Sequence, residues 1–394
     1  MMAEAQDRLS RLYYPLCLFV LFFATAAASF HGYYSAQGLH DFTFGDPHAK
    51  WTFESDVDGT DLRPFVFRQM LPFAVNWVDS RFSEKAKDKL YNLRGRNGLL
   101  FRERIIDSPI ARDRQYFLRY WLMYGLIFLF AWLSAYAMYW LAKALGFPPA
   151  AAALASISIM IVLPYIQAGE GHTYDYPELA FMALAALMAI KVDWWWLAPL
   201  TALATFNKES FLLFVVCLYP LIRQRTSRAN ALIGTGVLAC IAVAVNLAVR
   251  YHFRNNPGSA LEIHLSQQLA GLLRLVEPRH MVMAKTYGIW AFPTQNLLTL
   301  VLIVWTVARV WRFLSPVLKQ HVRIAAVINL PLYILFCEPG EMRDLSLLFV
   351  SFLVLLAASL TQWMGIDPRE VLMMGSSAGA GIPTEKSLSA ASTS

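Results

Sequence analysis

The sequence predicts an all-α fold, a polytopic transmembrane helical bundle of about ten helices. Of the 394 residues, 57% are hydrophobic and only 15% are charged, a more apolar composition than water-soluble domains usually have. The apolar residues form runs that approach the roughly 20 residues needed to cross a bilayer core of about 30 Å. Lysine and arginine gather in alternate short loops, as they do on the cytoplasmic side of membrane proteins.

Ten apolar segments account for the predicted crossings. In chain order they are 12–30, 117–145, 148–166, 177–191, 194–206, 210–222, 229–250, 294–312, 322–336 and 345–363. The three segments between residues 177 and 222 are the weakest candidates for membrane crossings, because they are short. The first segment has an alternative interpretation as a cleaved signal peptide, because Arg8 and Arg11 precede it and residues 24–28 are small.

The predicted orientation places the N-terminus in the cytoplasm. The short loops on that side carry Arg8, Arg11, Lys143, Lys191, Arg223, Arg225, Arg228, Arg309, Arg312, Lys319 and Arg323, whereas those on the other side offer only Lys208 and Arg343. Basic flanks also attract anionic lipid headgroups. The net charge of +7 is therefore explained by the lipid bilayer as a partner, and nucleic acid is not expected as one.

Residues 1–363 are predicted to form one integral membrane domain with two long extracytoplasmic loops. The first, 31–116, should contain interfacial helices, and the second, 251–293, contains an amphipathic stretch that should lie on the membrane. The tail, 364–394, is rich in Ser, Ala and Gly and is predicted to be disordered. The polar clusters that interrupt the apolar segments all fall on the extracytoplasmic side, so we expect a site at that surface.

The first loop contains candidate general bases. Asp56 and Asp58 are two residues apart and precede Gly59, and in an extended segment both carboxylates would project from one face. Such a pair can act as a general base or hold a divalent cation such as Mg²⁺ or Mn²⁺. A solvated acidic turn is the alternative. Asp61 is predicted to cap a following helix that has Pro64 in its first turn.

Four ionisable residues, Glu170, His172, Asp175 and Glu178, fall within one short loop between apolar segments. Helix capping before Pro177 explains Asp175. The other three have no equally simple structural explanation, so we expect a role in substrate binding. A metal site is an alternative, but the spacing matches no common zinc pattern.

Basic residues near the predicted membrane surface are candidates for binding a phosphate. They are Arg63 and Arg68 in the first loop, Lys208 beside Glu209 between two short apolar segments, and Arg343 near Glu341 before the last segment. A guanidinium can bind a phosphate through two parallel hydrogen bonds. Ionisable groups at this depth are costly unless they are paired or used, so the structural alternative is mutual neutralisation or anchoring at the headgroups.

These features resemble the GT-C class of integral membrane glycosyltransferases. The resemblance rests on the acidic first loop, Arg63-Pro64, Tyr174-Asp-Tyr-Pro177, Asn207-Lys-Glu-Ser210, Tyr287-Gly-Ile-Trp290 and Glu341-Met-Arg343. It implies inverting transfer of a sugar from a polyprenyl- or dolichyl-phosphate donor to a glycan, lipid or protein acceptor, on the periplasmic side of a bacterial inner membrane. It also implies a first-loop base, for which Asp56 and Asp58 match best and Asp41 and Asp46 are alternatives.

Other functions stay open at this stage. A transporter or flippase would use the same intramembrane charges, but internal repeats typical of many transporters are not evident. A lipid-linked glycan polymerase would more typically place its large loop late in the chain. An acyltransferase would use an intramembrane histidine, for which His172 is the candidate, and a non-catalytic membrane subunit would need none of these groups for chemistry.

Overall fold

The computed structural model describes residues 2–34, 39, 52–96, 109–166, 171–259, 261, 263–273, 284–286, 289–291, 296–338 and 340–368. Within these ranges the chain is mainly α-helical. The helices are α1 (Met2–Tyr34), α2 (Phe53–Asp58), α3 (Met70–Asp79), α4 (Glu84–Arg96), α5 (Phe117–Ala144), α6 (Pro149–Val162), α7 (Asp175–Lys191), α8 (Trp194–Asn207), α9 (Phe211–Arg223), α10 (Arg228–His252), α11 (Leu265–Leu273), α12 (Leu297–Val310), α13 (Pro316–Phe336) and α14 (Phe349–Trp363). One short antiparallel pair, β1 (Ala284–Thr286) and β2 (Ile289–Ala291), is the exception to the all-α prediction. The predicted disordered tail lies outside the described residues from 369 onwards.

Each of the ten predicted apolar segments coincides with a helix in the part of the chain that the structure describes. By length and composition, four helical segments could cross a membrane, namely Tyr13–Tyr34, Phe117–Ala144, Arg228–His252 and Ser346–Trp363. These four are consistent with an integral membrane protein. Pro149–Tyr165 and Phe211–Arg223 are apolar but shorter, and the number of crossings beyond the four stays a prediction.

Helix α7 lies at the centre of the bundle. Fourteen of its 17 residues are buried, and it packs against α5, α8, α9 and α14. Its many alanines leave room for neighbouring helices to approach closely, as small residues do in membrane proteins. By contrast, only Ala231, Leu238 and Ala242 are buried in the 25-residue helix α10. The N-terminus of α7 is therefore enclosed by other helices, and its polar residues are buried with it.

Helices α7, α8 and α9 have 17, 14 and 13 residues. At 1.5 Å per residue they are about 26, 21 and 20 Å long, which is less than the roughly 30 Å of a bilayer core. The junction from Asn207 to Ser210, where α8 ends and α9 begins, meets the N-terminus of α7 through Asn207, whose side-chain amide donates to the Tyr174 carbonyl oxygen at 3.0 Å. Asn207 and Lys208 at this junction are buried, and Glu209 and Ser210 are half-buried.

The segment that carries Asp56 and Asp58 is helical, so the predicted extended conformation is wrong. Thr52 and Ser55 form a reciprocal capping box at the start of α2, and Gly59 ends the helix in the left-handed region at φ 67°. A capping box satisfies two otherwise unpaired backbone donors. The predicted helix after Asp61 is also displaced, because α3 begins only at Met70, after a short 3₁₀ turn.

The two long loops of the prediction are joined by direct hydrogen bonds. The Asn256 side chain donates to the carbonyl oxygens of Gly59 and Asp61, both at 2.9 Å. The Arg63 backbone donates to Pro257 at 2.9 Å, and its guanidinium donates to Gly258 at 2.7 Å. These contacts fix the chain that follows α2 against the chain that follows α10.

Candidate functional site

A cluster of ion pairs lies where the N-terminus of α7, the α8–α9 junction and the segment before α14 meet. Its members, hereafter the charge cluster, are Arg68, Asp175, Glu178, Lys208, Glu209, Glu341, Arg343 and Asp344. Seven of them were singled out in the sequence, and Asp344 completes the set. The structure therefore brings together residues from four separate parts of the sequence.

Lys208 is the centre of one half of the charge cluster. Its Nζ atom lies 2.9 Å from Glu178 Oε2, 3.3 Å from Asp344 Oδ1 and 4.0 Å from Asp175 Oδ1. The lysine is buried because α8 ends at Asn207 and residue 208 adopts an extended conformation. Ser210 holds the other oxygen of Glu178, donating from Oγ at 2.5 Å.

Arg343 is the centre of the other half. Its Nη1 atom lies 2.9 Å from Asp175 Oδ2 and its Nη2 atom lies 3.0 Å from Glu341 Oε1. Asp175 is held firmly, because the same oxygen also accepts from the Tyr33 hydroxyl and from the His172 backbone amide. Among the described residues, Arg343 Nε has no hydrogen-bond partner although it is buried.

Tyr174 lies between the two halves and Arg68. The Arg68 guanidinium stacks on the Tyr174 ring at 4.2 Å, donates to its hydroxyl and pairs with Glu209 at 3.3 Å. Lys208 Nζ lies 5.0 Å from the centre of the same ring. Cation–π contacts of desolvated groups are worth on the order of 2 kcal/mol, so the ring stabilises two neighbouring cations that would otherwise repel each other.

The charge cluster contains three cations and five carboxylates, a formal charge of −2. Part of this excess is offset by the N-termini of α7 and α9, because helix N-termini carry a partial positive charge. Burial raises the pKa of Glu341, even though Arg343 opposes the rise. Burial also acts to raise the pKa of Asp344, but the Lys208 and Arg343 charges more than offset it, and the pKa lies below its usual value.

An acidic cavity lies beside the charge cluster. It has a volume of about 20 Å³ and is lined by Thr52, Asp56, Asp61, Phe65, His172, Thr173 and Tyr174. The rings of Phe65, His172 and Tyr174 are stacked in series, with centres 6.4 Å and then 5.0 Å apart. Tyr174 belongs to both the acidic cavity and the charge cluster, so the two sites share a wall.

Asp58 does not reach the acidic cavity. Residues two apart in a helix point in nearly opposite directions, so Asp56 is buried whereas the Asp58 side chain is 36% exposed. Asp58 pairs with Arg119 at 2.7 Å and accepts from the Tyr116 hydroxyl at 2.7 Å. Burial and this hydrogen bond raise the pKa of Tyr116 to about 12. The expectation that both aspartates face one site is wrong. The second carboxylate that lines the acidic cavity is that of Asp61.

The other predicted residues divide into three groups. His172 lines the acidic cavity. Arg63 does not belong to the charge cluster, because its guanidinium donates to backbone carbonyl oxygens of the second long loop. Glu170, Asp41 and Asp46 lie outside the described residues. Where the structure describes the chain, no group of three or more His, Cys, Asp or Glu side chains could hold a metal ion, and the predicted Mg²⁺ or Mn²⁺ stays untested.

Several site residues were not predicted as such from the sequence. Asp344 directly follows Arg343, and this position next to a candidate residue was the signal in the sequence that could have identified it. Asp61 was interpreted as a helix cap, and Tyr174 only as part of a loop motif. Their roles depend on contacts between residues that are more than 100 positions apart in the sequence, for example Tyr174 and Arg68.

Chemically, the arrangement combines a cavity with two carboxylates and a neighbouring set of three buried or half-buried cations. A carboxylate can accept a proton from a hydroxyl group, and enclosed cations can stabilise negative charge that develops on a leaving group. No family model, curated protein or solved structure matches this chain.

Proposed function

We propose that this chain is an integral membrane glycosyltransferase that moves a sugar from a polyprenyl- or dolichyl-phosphate donor to a lipid-linked or protein acceptor at the extracytoplasmic face. The observation that carries the proposal is the shared wall between the acidic cavity and the charge cluster. A reaction of this kind needs a base beside the acceptor hydroxyl and cations beside the departing phosphate. The two neighbouring sites offer both.

In the proposed reaction, Asp56 removes the proton from the acceptor hydroxyl. The oxygen then attacks the anomeric carbon of the sugar from the side opposite the phosphate, and a new carbon–oxygen bond forms. The bond between the anomeric carbon and the phosphate oxygen breaks, and its electron pair leaves with the lipid phosphate. Attack from the opposite side inverts the anomeric configuration.

The charge that develops on the phosphate would be stabilised by Arg68, Lys208 and Arg343. Such contacts are strong where water is excluded and the groups are already in place. Each cation is paired with at least one carboxylate, which holds the three positive charges together in the absence of substrate. The donor phosphate would have to compete with at least one of these carboxylates.

Two asparagine substitutions test the proposal. Transfer of a radiolabelled sugar from a polyprenyl-phosphate donor would be measured with the purified full chain and a membrane extract as acceptor source. Asp56→Asn should lower the rate by at least about 10²-fold, a typical contribution of a general base. Asp58→Asn, which alters the same helix outside the acidic cavity, should keep most of the activity. Full transfer by Asp56→Asn would exclude Asp56 as the base and make Asp61 the next candidate.

A lipid-linked glycan flippase is the second candidate. It is favoured by the buried ion pairs at the ends of the short helices α7, α8 and α9, because transporters often place substrate sites at interrupted helices. Reconstitution into liposomes distinguishes the two functions. A flippase would move the labelled lipid across the bilayer without forming a new glycosidic bond.

A further inference from the structure

A group of cations lies at the end of the bundle that is remote from the charge cluster. Its members, hereafter the basic patch, are Arg309, Arg312, Lys319 and Arg323, from the last turn of α12, the following turn and the start of α13. Helix α14 begins just after the charge cluster and ends beside Arg309, and its 15 residues span about 22 Å. The basic patch is therefore a separate surface, on the side predicted to face the cytoplasm.

The cations of the basic patch have no counter-ions from the chain. None of them pairs with a carboxylate in the part of the protein that the structure describes. The sequence from Trp305 to Arg323 contains no Asp or Glu. In the charge cluster, by contrast, every cation has a carboxylate partner. The basic patch therefore presents uncompensated positive charge, which attracts anions.

Arg309 is held in place with two donor groups to spare. Its guanidinium carbon lies 5.3 Å from the centre of the Trp305 ring and 5.7 Å from the centre of the Trp363 ring. Its Nε atom donates to Gln362 Oε1 at 2.9 Å, and its two Nη atoms have no acceptor among the described residues. A guanidinium can donate parallel hydrogen bonds to two phosphate oxygens, so Arg309 is oriented to receive a phosphate.

The surroundings of Arg309 match an amphiphile. Trp305 and Trp363 are 50% and 61% exposed, and exposed tryptophans are typical of the level of the lipid headgroups. Leu298, Val301 and Trp305 are exposed along α12 at spacings of three and four residues, so they form an apolar stripe on one face of the helix. Arg309, four residues after Trp305, continues this stripe. Hydrocarbon lying along the stripe would bring its headgroup to Arg309.

The basic patch also connects α12 with its neighbours. The contact of Arg309 with Gln362 joins α12 to the end of α14. The Arg323 guanidinium lies 5.5 Å from the centre of the Trp311 ring, which joins α13 to the turn after α12. Helix α12 itself is weakly packed, because Val310 is the one residue of α12 that is buried in the described structure. An anion on the basic patch would therefore strengthen the attachment of this helix.

We infer that the basic patch binds an anionic phospholipid, with the lipid phosphate on Arg309 and an acyl chain along the apolar stripe of α12. A phospholipid fits better than a soluble phosphate, because the apolar stripe leads directly to the cation. The bound lipid fastens α12 to α13 and α14. This inference does not depend on the proposed transfer reaction, which uses the other end of the bundle.

The test measures binding of phosphatidylglycerol to the purified, delipidated full chain in detergent by native mass spectrometry. Phosphatidylglycerol should bind at least about tenfold more tightly than phosphatidylcholine, because the choline cation opposes the surplus positive charge. Arg309→Gln combined with Arg323→Gln should weaken binding of phosphatidylglycerol by at least about tenfold. The matched control is Arg223→Gln combined with Arg225→Gln, which removes two exposed arginines from the turn between α9 and α10 and should change binding less than about twofold.

A conservative variant separates a defined phosphate site from general attraction to positive charge. Arg309→Lys keeps the charge but loses the planar pair of donors, so it should weaken binding about fivefold. Arg223→Lys is its control and should have no effect. Unchanged binding in Arg309→Lys would overturn the inference, and so would equal losses in the two double variants or equal binding of the two phospholipids. Equal competition by soluble glycerol phosphate would show an anion site without a lipid and would overturn it as well.

Discussion

Replacing Lys208 with methionine should destabilise the protein severely, because the change removes a buried charge and keeps most of the side-chain volume. Lys208 Nζ has carboxylate oxygens at 2.9, 3.3 and 4.0 Å. At an effective dielectric constant of about 20, each of the two closer pairs contributes an attraction of about 5 kcal/mol. Most of this attraction offsets the cost of taking the charges out of water.

The substitution removes the attraction but leaves Glu178 and Asp175 buried. Removing one partner of a buried ion pair costs about 3–5 kcal/mol, which is a large part of the 5–15 kcal/mol by which proteins are usually stable. We therefore expect Lys208→Met to lower the free energy of unfolding by about 3–5 kcal/mol. Thermal unfolding of the purified protein in detergent would show this as a lower Tm.

A second variant separates lost charge from lost packing. Glu178→Gln in the Lys208→Met background removes one of the unpaired carboxylates and should restore part of the stability, giving a favourable coupling energy in a double-mutant cycle. Lys208→Met with a loss below about 1 kcal/mol, the usual value of an exposed pair, would refute the reasoning. It would mean that water reaches these carboxylates.

Two further predictions concern stability. Because the pKa of Asp344 is lowered by Lys208 and Arg343, its contribution is present above the unfolded pKa of about 3.9 and is lost as the pH falls through the folded pKa. Asp344→Asn should therefore lower Tm at pH 7, and the difference from the native protein should shrink in acid; a pH-independent difference would contradict this. Gly258→Ala should cost about 1–2 kcal/mol, because Gly258 has φ +93° and an added Cβ would lie 2.7 Å from the Arg63 carbonyl oxygen. Gly236→Ala in α10 is the control, because an added Cβ there meets nothing within 4 Å. It should be neutral or stabilising. Equal Tm values for the two variants would contradict the close approach of Gly258 to the Arg63 carbonyl oxygen.

The helical segments could be predicted well from the sequence, and the partners within the site could not. Apolar runs reveal helices because burial in lipid requires continuous hydrophobic surface. The Asp56 segment was misjudged because two aspartates and a glycine were given more weight than the capping pair of Thr52 and Ser55. Because the segment is helical, Asp56 and Asp58 lie on opposite faces of α2.

The ion pairs of the charge cluster depend on tertiary structure alone. Asp175 and Arg343 are 168 residues apart, and Lys208 and Asp344 are 136 apart. Nothing in either local sequence specifies which partner will be chosen. The expectation that costly charges must be paired or used was correct in part, because the structure pairs them with each other, and their use stays a prediction.

The order in which the chain is synthesised gives the charge cluster a consequence for assembly. Helix α7 is made long before Arg343, so Asp175 enters the bundle before its arginine exists. Domains begin to fold from their N-terminal end during synthesis, and an ionised carboxylate without a partner is costly inside a membrane. The segment before the last helix therefore supplies the counter-ion of a carboxylate that was made 168 residues earlier. A chain that ended before Glu338 would keep most of its apolar helices but would lack the arginine that pairs with Asp175.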